Sequence, residues 1–264
     1  MSDCVDVEDF HFYTLRKFRI FNPSQFQVGK NRLATSSKYG ITVAAGDREI
    51  RIVTLASLQS FKLNKENLNV EVEDLPIKII QFPVVEKIEQ IGINSDGTLL
   101  GVLHSTKGNA IVDIYDLKTL ASSTGAPSSI VQTPVGTDAN ITGLAFEWNP
   151  AIPDMFATSA SDRSLLCAKV DVANSKLTLV GSKKFGANAN VISWSPKGKQ
   201  LVIGDSVGKL VQLKPELDVV RSTMPPADSQ VTGLCWLSTT EWLIAYTTEK
   251  PSLDQITSIL VVKK

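Results

Sequence analysis

The chain has 264 residues, enough for one large β domain or two small ones, with 43% hydrophobic and 20% charged residues, which supports a buried core and excludes a disordered chain. Lys plus Arg and Asp plus Glu are equal at 27 each, so the basic excess of a phosphate-neutralising nucleic-acid binder is missing. Three cysteines, Cys4, Cys167 and Cys235, lie far apart without a CxxC or Cys/His cluster, so neither a disulfide framework nor a zinc site is expected. Cys167 and Cys235 sit in apolar runs and read as small buried hydrophobes. The acidic opening Met1-Ser-Asp-Cys-Val-Asp6 is unlike a signal peptide, and no apolar run approaches the roughly 20 residues that cross a membrane. A reducing, intracellular compartment is expected.

In chain order, the first strand-like run is Phe10-His-Phe-Tyr-Thr-Leu-Arg-Lys-Phe-Arg-Ile-Phe21. A pattern then recurs: an apolar segment, a turn of small residues, and a second apolar segment. It appears at Leu33 to Gly40 with Ile41–Ala45, and at Ile88–Gly97 with Thr98–Leu103. It returns at Ile141–Pro150 with Met155–Thr158, at Val191–Gly198 with Gln200–Gly204, and at Val231–Ser238 with Trp242–Ala245. Ser36, Ile93, Trp148, Trp194 and Trp236 are equivalent, with steps of 57, 55, 46 and 42 residues. A third β-like segment follows after Gly46-Asp-Arg, Lys107-Gly-Asn, Ser161-Asp-Arg and Ser206-Val-Gly, and a looser fourth in most units.

Repetition of three or four antiparallel strands at this spacing predicts an all-β fold, a β-propeller with WD40-like blades. The units are 32–60, 88–133, 141–183, 190–224 and, incomplete, 230–264, within one domain spanning 1–264. Second segments such as Leu201-Val-Ile are apolar throughout, as expected of strands packed between neighbouring blades. Ser57 to Lys87, with Lys65, Glu66, Glu71, Glu73 and Asp74, reads as a solvated excursion between blades, and Ser122 to Ser129 as a flexible loop. About five blades leave a ring open and expose two edges, so the chain is expected to be part of a longer propeller, with 10–21 as the strand that closes the last blade.

Several stretches go further than the fold. Trp194-Ser-Pro-Lys-Gly-Lys-Gln200, followed by Leu201-Val-Ile-Gly204, Gly208 and Lys214-Pro-Glu-Leu217, resembles the fourth blade of a known propeller: the N-terminal domain of the cytoplasmic-face FG nucleoporins that dock the DEAD-box helicase of messenger-RNA export. Trp148-Asn-Pro-Ala-Ile-Pro153, Asp9-Phe-His-Phe12 with Lys17-Phe-Arg-Ile-Phe21, Ser36-Ser-Lys-Tyr-Gly40 and Pro225-Pro226 are similar to its third-blade turn, opening strand, first-blade turn and fifth-blade approach. The resemblance implies seven blades, about five of them present here. It implies a non-enzymatic scaffold on the cytoplasmic face of the nuclear pore complex, acting in messenger-RNA and protein transport. Its implied partners are the DEAD-box helicase and other nucleoporins, with no direct nucleic-acid contact, no membrane insertion, no small-molecule substrate and no cofactor. The family's docking loops lie mainly on late blades, beyond Lys264, so the resemblance assigns no partner-binding residue here. A generic WD-repeat-like adaptor is the rival reading; against it, no unit carries a Trp-Asp or Gly-His signature.

Other motifs have simpler readings. Gly204-Asp-Ser-Val207 has the form of an esterase opening, but the chain holds only His11 and His104 to serve it, and a hairpin turn is expected. Gly204 to Lys209 is a residue short of a phosphate loop and leads into a strand. No catalytic, cofactor or metal residue is therefore assigned. Asn140-Ile-Thr142 is a chance sequon, and Phe185-Gly186 a lone structural pair. Trp148, Trp194, Trp236 and Trp242 recur with the repeat and read as strand-end packing. Lys183, Lys184, Lys197 and Lys199 read as exposed basic pairs on a solvated face.

Overall fold

The computed structural model describes residues 17–18, 20–21, 29–60, 69–70, 76–123, 127–224, 229–238, 241–248 and 258–263. In chain order, β1 (Lys17–Phe18) precedes a first sheet built from β2 (Leu33–Ser36), β3 (Ile41–Ala45) and β4 (Glu49–Thr54). Helix α1 (Leu55–Ser60) and β5 (Asn69–Val70) follow, and β6 (Lys78–Gln81) completes that sheet. The second sheet is β7 (Lys87–Ile93), β8 (Leu99–Thr106), β9 (Asn109–Asp116), then helix α2 (Leu117–Ser122) and β10 (Val131–Pro134). The third is β11 (Gly143–Trp148), β12 (Met155–Ala160), β13 (Ser164–Asp171) and β14 (Lys176–Lys184). The fourth is β15 (Ala189–Trp194), β16 (Leu201–Asp205), β17 (Leu210–Leu213) and β18 (Val219–Thr223). The fifth pairs β19 (Ser229–Trp236), β20 (Glu241–Thr248) and β21 (Ser258–Lys263).

All five sheets are antiparallel meanders, and the first strands of successive sheets lie against one another. That makes them the inner strands around a common axis, and the fold is a β-propeller. The first sheet's fourth strand, β6, falls inside the stretch read as a solvated excursion. Its Lys-Ile-Ile-Gln sequence is short, and the charged residues ahead of it mask the strand. Of the run 10–21, the described residues pair with or touch the first blade's surroundings: β1 pairs in parallel with β5, and Phe21 stacks 4.2 Å from the Arg51 guanidinium. The rest of that run lies outside the described residues.

The apolar second strands are packed on both faces with a period of two. On β8, Leu100 and Val102 join the core shared with the first blade, whereas Leu99 and Leu103 join the core shared with the third. On β12, Phe156 and Ala160 face the second blade, and Met155 and Ala157 the fourth. On β16, Leu201 and Ile203 face the third blade, and Val202 the fifth.

The inner strands carry a feature that composition does not reveal. Between Ile88/Gln90, Gly143/Ala145, Ala189/Val191 and Val231/Gly233 the pairing slips by one residue. Each extra residue, Glu89, Leu144, Asn190 or Thr232, sits four positions before Ile93, Trp148, Trp194 or Trp236. The same bulge thus bends the inner strand of four blades at one place.

Neighbouring blades are also clasped by hydrogen bonds. The indole of Trp148 donates to the Gly92 carbonyl (2.9 Å) and that of Trp194 to the Glu147 carbonyl (3.2 Å), each reaching back one blade. In the opposite direction, the turn after each inner strand reaches forward. Ser36 Oγ donates to the Gly97 carbonyl (2.8 Å), Asn94 Nδ2 to that of Pro153 (2.9 Å) and Asn149 Nδ2 to that of Gly198 (2.8 Å). The Oδ1 of each Asn amide accepts two backbone amides of its own turn: Thr98 and Leu99 for Asn94, Ala151 and Ile152 for Asn149. Gly198 has φ +65°, and a Cβ there would run into the Asn149 amide, so both conformation and contact call for glycine.

The short helices have local causes. Thr54 and Asp116 cap α1 and α2, accepting the amides of Ser57 (3.1 Å) and Thr119 (2.7 Å). At the far end of α2, Lys78 from β6 of the preceding blade donates to the carbonyls of Leu120 (2.7 Å), Ala121 (3.0 Å) and Ser123. A cation is favoured at that end of a helix. In Asn149→Ala one buried carbonyl and two turn amides lose their partner, which costs about 3 kcal/mol. Urea denaturation should show that loss, with Asn174→Ala in the exposed β13–β14 turn within about 0.5 kcal/mol of the parent. Equal small effects from both would show the clasp to be dispensable.

Candidate functional site

Strand direction divides the surface into two loop faces. The turns from first to second strands and from third to fourth strands open on one face. The turns from second to third strands, and the links between blades, open on the other.

The second face is organised by carboxylates. Asp47 pairs with the buried Arg32 (2.9 Å). Asp205 accepts the amides of Val207 (3.1 Å) and Lys209 (2.7 Å), making Gly204-Asp-Ser-Val207 the expected hairpin turn. Asp162 accepts from the Thr137 and Ser164 amides, the Ser164 hydroxyl and Lys184. Burial alone would raise its pKa, but these donors outweigh burial and bring it down to about 2. Lys184 also pairs with Asp138 (2.7 Å), and Lys183 lies 5.7 Å from the Phe185 ring. Phe185 packs against the core between the third and fourth blades, so Phe185-Gly186 is structural.

Within the second blade lies a buried polar network. His104 Nε2 meets Asp113 Oδ2 (2.8 Å) and His104 Nδ1 meets Thr106 Oγ1 (3.0 Å). Tyr115 OH (3.3 Å) and Gln132 Nε2 (2.9 Å) donate to the same carboxylate. The order Thr–His–Asp has the outline of a catalytic relay, but His104 is 2% exposed, and three strands of the sheet, β8, β9 and β10, carry it as a cross-strand ladder. Burial, then the Asp113 charge, raises the Tyr115 pKa well above its ordinary value. This network was not legible beforehand: His104, Asp113 and Gln132 come together only through strand register. Removing the imidazole in His104→Ala strands a buried carboxylate and should lower stability by about 3 kcal/mol, read from the urea midpoint, with Tyr115→Phe costing far less. Equal losses would assign the effect to packing.

The tryptophans occupy the strand-end packing sites expected. Trp148 lies in a cluster with Phe146 (5.5 Å between ring centres) and Phe156 (5.5 Å), and Trp236 stands edge-on to Trp242 at 5.4 Å. Cys167 is buried, and burial together with the Glu216 charge pushes its thiol up to about 12. Cys235 departs from expectation: it is exposed on β19. Its apolar sequence neighbours Leu234 and Trp236 take the positions that pack against the fourth blade. Among the described residues no group of three or more His, Cys, Asp or Glu could hold a metal, and no helix is long and apolar enough to cross a membrane.

On the first face, Lys197 and Lys199 sit in the turn clasped by Asn149, at the opposite strand end from Lys183 and Lys184. Close to the inner strands of this region, burial raises Glu147 to about 7 from an ordinary 4.5, with no hydrogen-bonded partner to offset it among the described residues. A carboxyl with a raised folded-state value penalises the native state above that value and is relieved as pH falls from about 7 towards 4.5. Glu147→Gln should therefore raise the urea midpoint at pH 8 and leave it nearly unchanged at pH 4.5; an equal shift at both would rule out a charge effect.

This arrangement defines a class: a β-propeller of WD40-like blades whose turns are held by hydrogen bonds and ion pairs of their own. The chain belongs to the NUP159/214 β-propeller family, whose profile matches residues 29–263. It is similar to nuclear pore complex protein 14 of Caenorhabditis elegans, 49% identical over 260 residues, covering 92% of this chain and 19% of that protein. It is also similar to Nup214 of Drosophila melanogaster and of Homo sapiens, each at 25% identity, covering 92% and 94% of this chain but 14% and 12% of theirs. The chain thus spans less than a fifth of the length of these relatives. Among solved structures, a chain of the mitotic checkpoint complex superposes with a TM-score of 0.59 at 15% identity, covering 94% of this chain and 66% of its own. The WD40 domain of Toxoplasma gondii coronin gives 0.58 at 16%, covering 83% and 53%. These two likenesses concern the fold.

Proposed function

We propose that this propeller is a non-enzymatic docking platform of the nuclear pore complex that recruits the DEAD-box RNA helicase of messenger-RNA export at the cytoplasmic face. The observation that carries the reading is family membership across 29–263, joined to relatives named as nuclear pore proteins. The fold supports it physically. Blades locked by shared cores and by clasps at Asn94 and Asn149 hold their loops without a further ordering cost on binding. The two ring nitrogens of His104 are engaged by Thr106 and Asp113, so the one histidine among the described residues is not free to serve as a base for a nucleophile such as Ser206.

The test is calorimetric titration of the helicase into this chain and into the whole protein that contains it, with folding of both verified by circular dichroism. Binding by both places docking surface within 1–264. Binding by the whole protein alone supports the reading and places the surface elsewhere in it. Absence of binding by either overturns the reading in favour of a WD-repeat-like adaptor for another assembly.

A further inference from the structure

Between the third and fourth blades, on the first loop face, an open groove of about 570 Å³ is lined by both blades. Its floor is apolar: Ile152, Met155 and Val180. Its rim carries Lys169, Lys199 and Lys214, with Glu216 the one acid among the lining residues. We propose that this groove docks an extended acidic peptide segment bearing an apolar anchor side chain. The inference goes beyond helicase docking and stands without it.

Charge is the first support. Lys78 and Lys184 spend their ammonium groups on carbonyls or carboxylates, and Lys87 pairs with Glu89 at 2.8 Å. Lys169, Lys199 and Lys214 have no such partner among the described residues. The chain as a whole is neutral, so this concentration is local and does not follow from composition. Unpaired ammonium groups around a partly dry floor are where acidic groups gain most.

The walls are the second support, because they are preorganised. The turn bearing Lys199 is held by the Asn149–Gly198 clasp. On the outer side, Gly181 of β14 lies against the Glu216 backbone and the Leu217 side chain, a contact without room for a Cβ. The pairing of β13 with β14 slips between Cys167 and Ala168, leaving Val180 as the bulged residue, packed at the edge of the shared core. Bulges re-aim side chains beside binding sites. An apolar anchor seated on Ile152, Met155 and Val180 removes from water surface that is now open. The lining holds no aromatic ring on which a base could stack, which favours a peptide over single-stranded nucleic acid.

Fluorescence anisotropy tests this with a labelled peptide, Asp-Glu-Asp-Leu-Phe-Asp-Glu-Asp, against the whole chain. Controls are its Lys-for-acid counterpart, its Ser-Ser-for-Leu-Phe counterpart and a labelled oligouridine. The acidic apolar peptide should bind in a salt-sensitive way, and Lys199→Glu with Lys214→Glu should weaken it at least about tenfold. Lys38→Glu with Lys118→Glu, exposed on the same face, should leave it unchanged. An unchanged thermal midpoint for the Lys199/Lys214 variant excludes misfolding, since both side chains are exposed. Equal binding by that variant, tighter binding of oligouridine through the same lysines, or no binding of the acidic peptide to the parent chain overturns the proposal. The helicase titration on the same variant reads the docking function separately.

Discussion

A four-stranded sheet that is apolar on both faces cannot exist by itself in water. That constraint governs this molecule. In β8, β12 and β16, successive side chains go alternately to the blade before and the blade after, so each of these three second strands belongs to two cores at once. Each fully buried Leu, Ile or Phe contributes about 2 kcal/mol, and none of it is available until both neighbours are present. Stability is therefore a property of adjacent pairs. The hydrogen bonds follow the same logic: Trp148 and Trp194 reach back one blade, while Ser36, Asn94 and Asn149 reach forward. Blades are tied to their neighbours near the axis and in the turns, and the outer strands join at single places, β6 through Lys78 and β14 through Gly181.

The repeat was legible because this packing is periodic in the chain. A residue that fills one place between every pair of inner strands must recur once per blade, and Trp148, Trp194 and Trp236 did. Continuous apolar runs marked the second strands for the same reason. What escaped reading was whatever depends on the outer edge or on register. Outer strands pack one face at most, so β6 carries little hydrophobic signal and vanished behind charged residues. The bulge at Glu89, Leu144, Asn190 and Thr232 uses four unrelated side chains, because a bulge is a matter of backbone count. The His104–Asp113–Gln132 network needs three strands in register before its members meet. Cys235 misled because an apolar run on an inner strand does not say which of its residues face a neighbour.

The basic pairs show how strand direction converts linear proximity into separation. Lys183 and Lys184 end β14; Lys197 and Lys199 lie only a few positions later in the chain, past β15, in the turn at its other end. One pair therefore reaches one loop face and the other pair the opposite face. Lys184 is absorbed by Asp138 and Asp162 into the scaffold. Lys199 instead joins Lys214, from a later turn of its own blade, and Lys169, from the third blade. A patch assembled this way leaves no mark in a window of sequence, and only the fold brings its members together.

Overall neutrality then acquires a meaning for recognition. With 27 basic and 27 acidic residues, the molecule projects little field beyond the roughly 8–10 Å over which salt screens charge. Partners are not drawn in from a distance. Selectivity has to come from what each groove and loop presents at contact, on walls that do not move. The carboxylates on the turns of the second face act in the same direction: Asp205 fixes its loop through backbone amides, Asp47 neutralises Arg32, and Asp138 and Asp162 neutralise Lys184.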